Sequence, residues 1–177
     1  VTLSPIDMAR AYAIIANGGN KVKPQFIYKI ENKFGEVIYE ADTKKEKVLE
    51  PEYAALVTHM LQSVVKNGGS KGAQIYAKGT TVPVAGKTGT TSDYVSAWFT
   101  GYTPTLVTVV YVGNDNNKSM GRGMSGASAA LPIWKNYMQT VSNLSNFDIG
   151  KFQFIEEVLA NGTLVKKTID LRTGLLD

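Results

Sequence analysis

Apolar positions along this chain follow two periods, and the change between them orders its elements. Spacings of three and four come first, from residue 5 to 17 and again from 51 to 66. Alternation of apolar and polar residues then takes over from about residue 83 to 113, before a last helical stretch at 127–143. Such periods place helices and half-buried strands respectively.

The punctuation agrees with the periods. Ser4-Pro5-Ile6-Asp7 is a helix start, with Ser4 as N-cap, Pro5 in the first turn and Asp7 closing a box. Leu3 and Met8 are spaced as a hydrophobic staple, and Asn17-Gly18-Gly19 ends the helix. The stretches 26–32 and 36–41 flank Lys33-Phe34-Gly35 and predict a β-hairpin. In the second helix Tyr53, Val57, Met60, Leu61 and Val64 form the expected buried stripe, with Asn67-Gly68-Gly69 as its stop.

Strands are expected at 83–91, 94–102 and 106–113, separated by turns at Thr103-Pro104 and Asn114-Asp115-Asn116-Asn117. The third helix is expected to bury Ala127, Ala130, Leu131, Trp134, Tyr137, Met138 and Val141, with Pro132 in its first turn or kinking it. A further strand pair is expected at 152–159 and 164–171, joined at Asn161-Gly162. Helices around hairpin-connected strands imply an α+β fold: an antiparallel sheet flanked by helices.

Composition narrows the chemistry. At 177 residues, 44% hydrophobic and 19% charged, the chain is one globular domain's worth of sequence, able to bury about 70% of its extended surface. The net charge is +4, but the basic residues are scattered; Lys44-Lys45-Glu46-Lys47, the densest group, is broken by acid and reads as a solvated loop. That argues against a nucleic-acid partner. There is no cysteine, and His59 is the one histidine, so neither a thiolate metal site nor a histidine cluster is expected. No apolar run approaches the roughly 20 residues of a membrane span. The first residue is valine, not methionine, and the expectation is that both ends are cut from something longer.

Val84-Ala85-Gly86-Lys87-Thr88-Gly89-Thr90-Thr91 carries the candidate chemistry. Lys87 supplies a strongly hydrated point charge, Thr88 and Thr90 supply hydroxyls, and Gly89 leaves room for a substrate backbone. Together they make a receptor for a carboxylate. A phosphate cradle is the competing reading, since 81–88 fits G-x-x-x-x-G-K-[ST] except for Thr81 in place of the first glycine. That reading requires a helix beginning at Gly86-Lys87-Thr88, whereas the flanking residues favour a strand.

The neighbourhood of this run resembles the transpeptidase domain of class A (bifunctional) penicillin-binding proteins. The resemblance is carried by A-R-A-Y-A-I-I-A-N-G-G at 9–19, M-L-Q-S-V-V at 60–65 and A-G-K-T-G-T-T-S-D-Y at 85–94. It continues with A-W-F-T-G-Y-T-P at 97–104 and A-A-L-P-I-W-K at 129–135. It implies the C-terminal part of that domain at 1–143, with 144–177 as a β-like extension of the same domain, the fold being incomplete at the N-terminus. The implied activity is cross-linking of peptidoglycan stem peptides ending in D-Ala-D-Ala, through an acyl-serine intermediate that β-lactam antibiotics also form. No cofactor or metal is implied. An extracytoplasmic location, a membrane-anchored parent and a glycosyltransferase domain in it follow from the resemblance alone.

Such enzymes use S-x-x-K for the nucleophile, S-x-N, and K-T-G on a strand. By resemblance, Thr88, Gly89 and Thr90 bind substrate, with the two hydroxyls on the terminal carboxylate. The Thr90 N–H is one of two oxyanion donors, and Lys87 supplies positive potential and joins the proton network. Only K-T-G is convincing here. No S-x-N occurs, and the S-x-x-K at Ser63-Val64-Val65-Lys66 shares with His59 a helix face expected to be water-exposed. Ser63 also falls in the last helical turn, where the dipole opposes an oxyanion. The nucleophile is therefore expected upstream in the same polypeptide, which becomes this chain's partner and leaves the fragment alone inactive. A β-lactamase, a D,D-carboxypeptidase or a homologue that binds without turnover shares the same strand chemistry. Gly121-Arg122-Gly123-Met124-Ser125-Gly126 reads as a simple connection, with no role for Arg122.

Overall fold

The computed structural model describes residues 3–170 and 172–174. Its elements in order are α1 (Pro5–Ala16), β1 (Asn20–Lys21), β2 (Lys29–Glu31), β3 (Val37–Glu40), β4 (Glu46–Lys47) and α2 (Pro51–Lys66). After a 3-10 turn at Lys71–Ala73 come β5 (Tyr76–Ala77), β6 (Thr80–Thr81), β7 (Ala85–Thr90), β8 (Ser96–Tyr102) and β9 (Val107–Gly113). A π-turn at Gly126–Ala130 leads into α3 (Leu131–Ser142), and α4 (Gln153–Ala160) follows.

The centre is the antiparallel sheet β7-β8-β9, in which Lys87 pairs with Thr100, Gly89 with Trp98, and Phe99 with Val110. Side chains alternate between its faces. Ala97 and Phe99 point to one side and pack with Ile75, Val84, Ala130, Leu131, Trp134 and Met138 beneath α3. Tyr102 points to the other, where Ala85, Phe152, Tyr12 and Leu61 join α1, α2 and α4 to the sheet. Trp134 comes so close that a Cβ on Gly101 would lie 2.7 Å from its ring. Phe99 meets the same indole edge-on at 5.0 Å, and the Trp134 N–H donates to the Thr108 carbonyl at 3.1 Å. Together these contacts lock α3 onto the strands.

Several expectations hold. Ser4 caps α1 in a reciprocal box with Asp7; the Ser4 hydroxyl and then its N–H, both donating to the Asp7 carboxylate, hold that carboxyl below its ordinary range. β2 and β3 form the expected hairpin, both of its faces rich in exposed apolar side chains. The three long strands appear with slightly tighter bounds, residues 92–94 forming a 3-10 turn instead.

Others are corrected. On α2, Tyr53 and Met60 are exposed and Val57, Leu61 and Val64 only half-buried; Ala54, Ala55, Thr58 and Val65 face the sheet. Small residues allow the close approach, and Thr58 shares a 3.0 Å hydrogen bond with the buried Tyr102 hydroxyl. In the third helix Ala127 is exposed, because the wide π-turn ahead of α3 rotates residues 126–130 relative to a regular helix; Tyr137 is exposed too, beside the stripe of Leu131, Trp134 and Met138 that α3 buries. Pro132 sits in the first turn of α3, where its missing N–H costs little.

The expected strand at 152–159 is the helix α4. Phe152, Ile155 and Val158 recur every third residue and turn inward, while Glu156 and Glu157 face water. Residues 164–170 form no ladder strand beyond an isolated bridge at Ile169, and Leu171 lies outside the described residues. Among the described residues after 143 the regular element is therefore the short helix α4, where a β-like extension was expected. No helix among the described residues is long and apolar enough to cross a membrane.

Candidate functional site

β7 is an edge strand: β8 pairs with one side of it, and no described strand pairs with the other. In an antiparallel ladder each residue turns its N–H and C=O to the same side, and neighbours alternate. The Thr91 N–H donates back to the Ser96 carbonyl at 3.0 Å, extending the β8 ladder. By alternation Thr88 and Thr90 present their N–H and C=O groups to the open edge. The Lys87 ammonium confirms the direction at Thr88, donating to its outward carbonyl at 2.9 Å.

The four predicted residues thus surround one edge. Lys87 is exposed and lies on the face shared with Tyr102, since it is two residues from Ala85 along the strand. Among the described residues no acidic side chain pairs with it. Thr88 is half-buried and Thr90 exposed, both on the opposite face with Phe99 and Ala97. Gly89 sits against Trp98; a Cβ there would come within 3.3 Å of the Trp98 Cβ. Cation, two hydroxyls and outward N–H groups therefore flank the path that an extended ligand would take along β7.

The strand is held from behind by an element that the sequence reading passed over. Gly126, first residue of the π-turn before α3, donates its backbone N–H to Thr90 Oγ1 at 3.0 Å. It had seemed only the end of a glycine-rich connection, and its 36-residue separation from Thr90 left no local signal.

The hairpin between β7 and β8 is tightly bent. Asp93 and Tyr94 both adopt left-handed backbone conformations, at φ 58° and 54°. Ser119 holds the Asp93 carbonyl and the Met120 N–H donates to the Tyr94 carbonyl at 2.9 Å. Of the adjacent Trp98 and Phe99 on β8, Phe99 is the fully buried one. Trp98 meets Tyr111 at a tilt, with ring centroids 4.7 Å apart, and with it lines a hollow of about 380 Å³ beside Leu3, Pro5, Met8, Thr91 and Ser96.

Ser63, His59 and Lys66 are all exposed on α2, away from its buried residues, and no side-chain hydrogen bond joins them among the described residues. The phosphate-cradle reading is overturned as well. Gly86-Lys87-Thr88 run through the middle of β7, so no helix N-terminus meets them.

Residues 1–139 match the family model described as the penicillin binding protein transpeptidase domain. Penicillin-binding protein 1A of Aquifex aeolicus is 42% identical over 144 residues, which is 81% of this chain and 19% of that protein. The chain thus spans about a fifth of that relative's length. The crystal structure of penicillin-binding protein 1A from Haemophilus influenzae superposes with a TM-score of 0.78 at 29% identity, covering 99% of this chain and 30% of that one. Penicillin-binding protein A from Mycobacterium tuberculosis, solved as an imipenem acyl-enzyme complex, gives 0.61 at 26% identity over 78% of this chain and 31% of that one.

Proposed function

Because this chain belongs to the penicillin-binding-protein transpeptidase domain family, we propose that it supplies the substrate-recognition edge of a peptidoglycan D,D-transpeptidase. The observation that carries the reading is the free edge of β7, flanked by Lys87 on one face of the sheet and by Thr88 and Thr90 on the other, with the Thr90 N–H turned outward between them. A stem peptide ending in D-Ala-D-Ala lies antiparallel to that edge. Its terminal carboxylate accepts hydrogen bonds from Thr88 and Thr90 in the field of Lys87, while the absent side chain of Gly89, between them, makes room for Trp98.

The nucleophile is a serine outside residues 1–177, contributed by an upstream part of the same polypeptide. Its oxygen attacks the carbonyl of the penultimate D-alanine. The developing oxyanion accepts from the Thr90 N–H and from the serine's own N–H, each such donor being worth about 3 kcal/mol of barrier. The terminal D-alanine leaves with the proton, and the amine of a second stem peptide displaces the serine to form the cross-link. A β-lactam presents a similar carboxylate and strained amide to the same groups and stops at the acyl-serine.

Residues 1–143 and 144–177 form parts of one domain in this reading, supported by the packing of Phe152 and Ile155 from α4 on Ala85 and Tyr102 of the sheet. The reaction takes place outside the cytoplasmic membrane, where peptidoglycan is built, with the parent polypeptide anchored to that membrane. Residues 1–177 alone have no acyl-enzyme chemistry. Replacing Lys87 in the acylating parent tests the reading: penicillin labelling should fall sharply, and unchanged labelling would remove β7 from the site.

A further inference from the structure

We infer that Gly126 is a positioning residue: its N–H orients the Thr90 hydroxyl, and so sets the site's preference for a carboxylate. This rests on the reading of Thr90 as a carboxylate ligand given above. A hydroxyl has one proton to donate and two lone pairs. With the Gly126 N–H on one lone pair at 3.0 Å, the Thr90 proton is steered away from the helix, toward the open edge of β7. Accepting from a backbone donor also polarises the hydroxyl and makes it a stronger donor.

The arrangement depends on how closely the helix start approaches the strand. The first N–H groups of a helix lack intrahelical partners, and here one of them finds Thr90. A Cβ on Gly126 would lie 2.4 Å from the Trp98 carbonyl oxygen, 2.5 Å from the Gly89 carbonyl oxygen and 3.0 Å from the Gly89 nitrogen. Gly126 is not among the residues with positive φ, so close approach is the reason for glycine here, not backbone conformation. Ser125 and Ser128 fix the turn from the other side. The Ser125 N–H donates to Ser128 Oγ at 2.8 Å, and the Ser128 N–H to Ser125 Oγ at 3.3 Å. Ser128 Oγ in turn donates to the Gly123 carbonyl.

The test compares acylation of the intact parent polypeptide by a penicillin and by its methyl ester, which lacks the anionic carboxylate. The ratio of the two second-order rate constants reports carboxylate recognition; a merely structural defect lowers both together. T90S should keep the ratio, while T90V and G126A should each lower it about tenfold or more. The double variant should lose no more than T90V alone. A folded G126A with the parental ratio, beside a collapsed ratio in T90V, would overturn the role of Gly126 and leave the Thr90 reading standing. An unchanged ratio in T90V would overturn both. Should G126A fail to fold, the Gly126 amide in glycine-labelled parent decides by NMR. T90V should move its proton resonance upfield and speed its exchange, T90S should not, and no response to T90V would sink the inference.

Discussion

The Lys87 ammonium is bonded at 2.9 Å to the carbonyl of its own neighbour, Thr88, on the edge of β7 that faces no other strand. This holds a positive charge beside the outward backbone groups, with no acidic partner among the described residues to neutralise it. K87A should therefore lower penicillin acylation of the parent polypeptide about a hundredfold or more, through loss of the proton network and the local field. Because Lys87 is exposed, stability should change by no more than about 0.5 kcal/mol, read from denaturant midpoints.

S63A should leave acylation unchanged. Ser63 is exposed near the C-terminal end of α2, and neither the His59 nor the Lys66 side chain is hydrogen-bonded to its hydroxyl among the described residues. Fluorescent-penicillin labelling of the S63A parent, compared with K87A, separates the two S-x-x-K assignments.

Trp134 closes the core under the sheet, against Phe99 and the bare face of Gly101. W134A should cost about 3–5 kcal/mol in urea unfolding. G101A should also destabilise, because its Cβ would enter the indole ring. Both changes leave β7 chemically intact, so folded molecules should retain acylation.

Burial pushes the Tyr102 hydroxyl up to about 12, only partly opposed by its hydrogen bond with Thr58. The folded value lies above the ordinary 10, so the neutral form is the one the fold stabilises. That contribution, about 2–3 kcal/mol, is present in full below pH 10 and is lost as pH rises toward 12. Urea midpoints followed from pH 8.5 to 11.5 should fall, and Y102F should flatten the fall.

What the sequence revealed and what it hid divide along the range of the interactions involved. K-T-G on a strand, the Ser4 cap and the hairpin around Gly35 are local, written in adjacent residues, and they appear as read. The buried face of α2 was misread because hydrophobicity marks Tyr53 and Met60, whereas contact with the sheet selects the small Ala54, Ala55 and Thr58. The turn signal at Asn161-Gly162 suggests a strand pair with one member at 152–159. The period of three in that stretch, which fits a helix over Tyr102, decides the outcome. Gly126 was hidden for the opposite reason to Lys87: its significance exists only where a distant strand passes within hydrogen-bonding reach.

The most direct test is covalent labelling with a fluorescent penicillin of residues 1–177 and of a polypeptide extended upstream, followed by peptide mapping of the adduct. A recognition edge served by an upstream nucleophile predicts label only in the longer polypeptide, on a serine outside 1–177, and its loss in K87A. Label on Ser63 or any other serine of 1–177, or no label in either polypeptide, would contradict it.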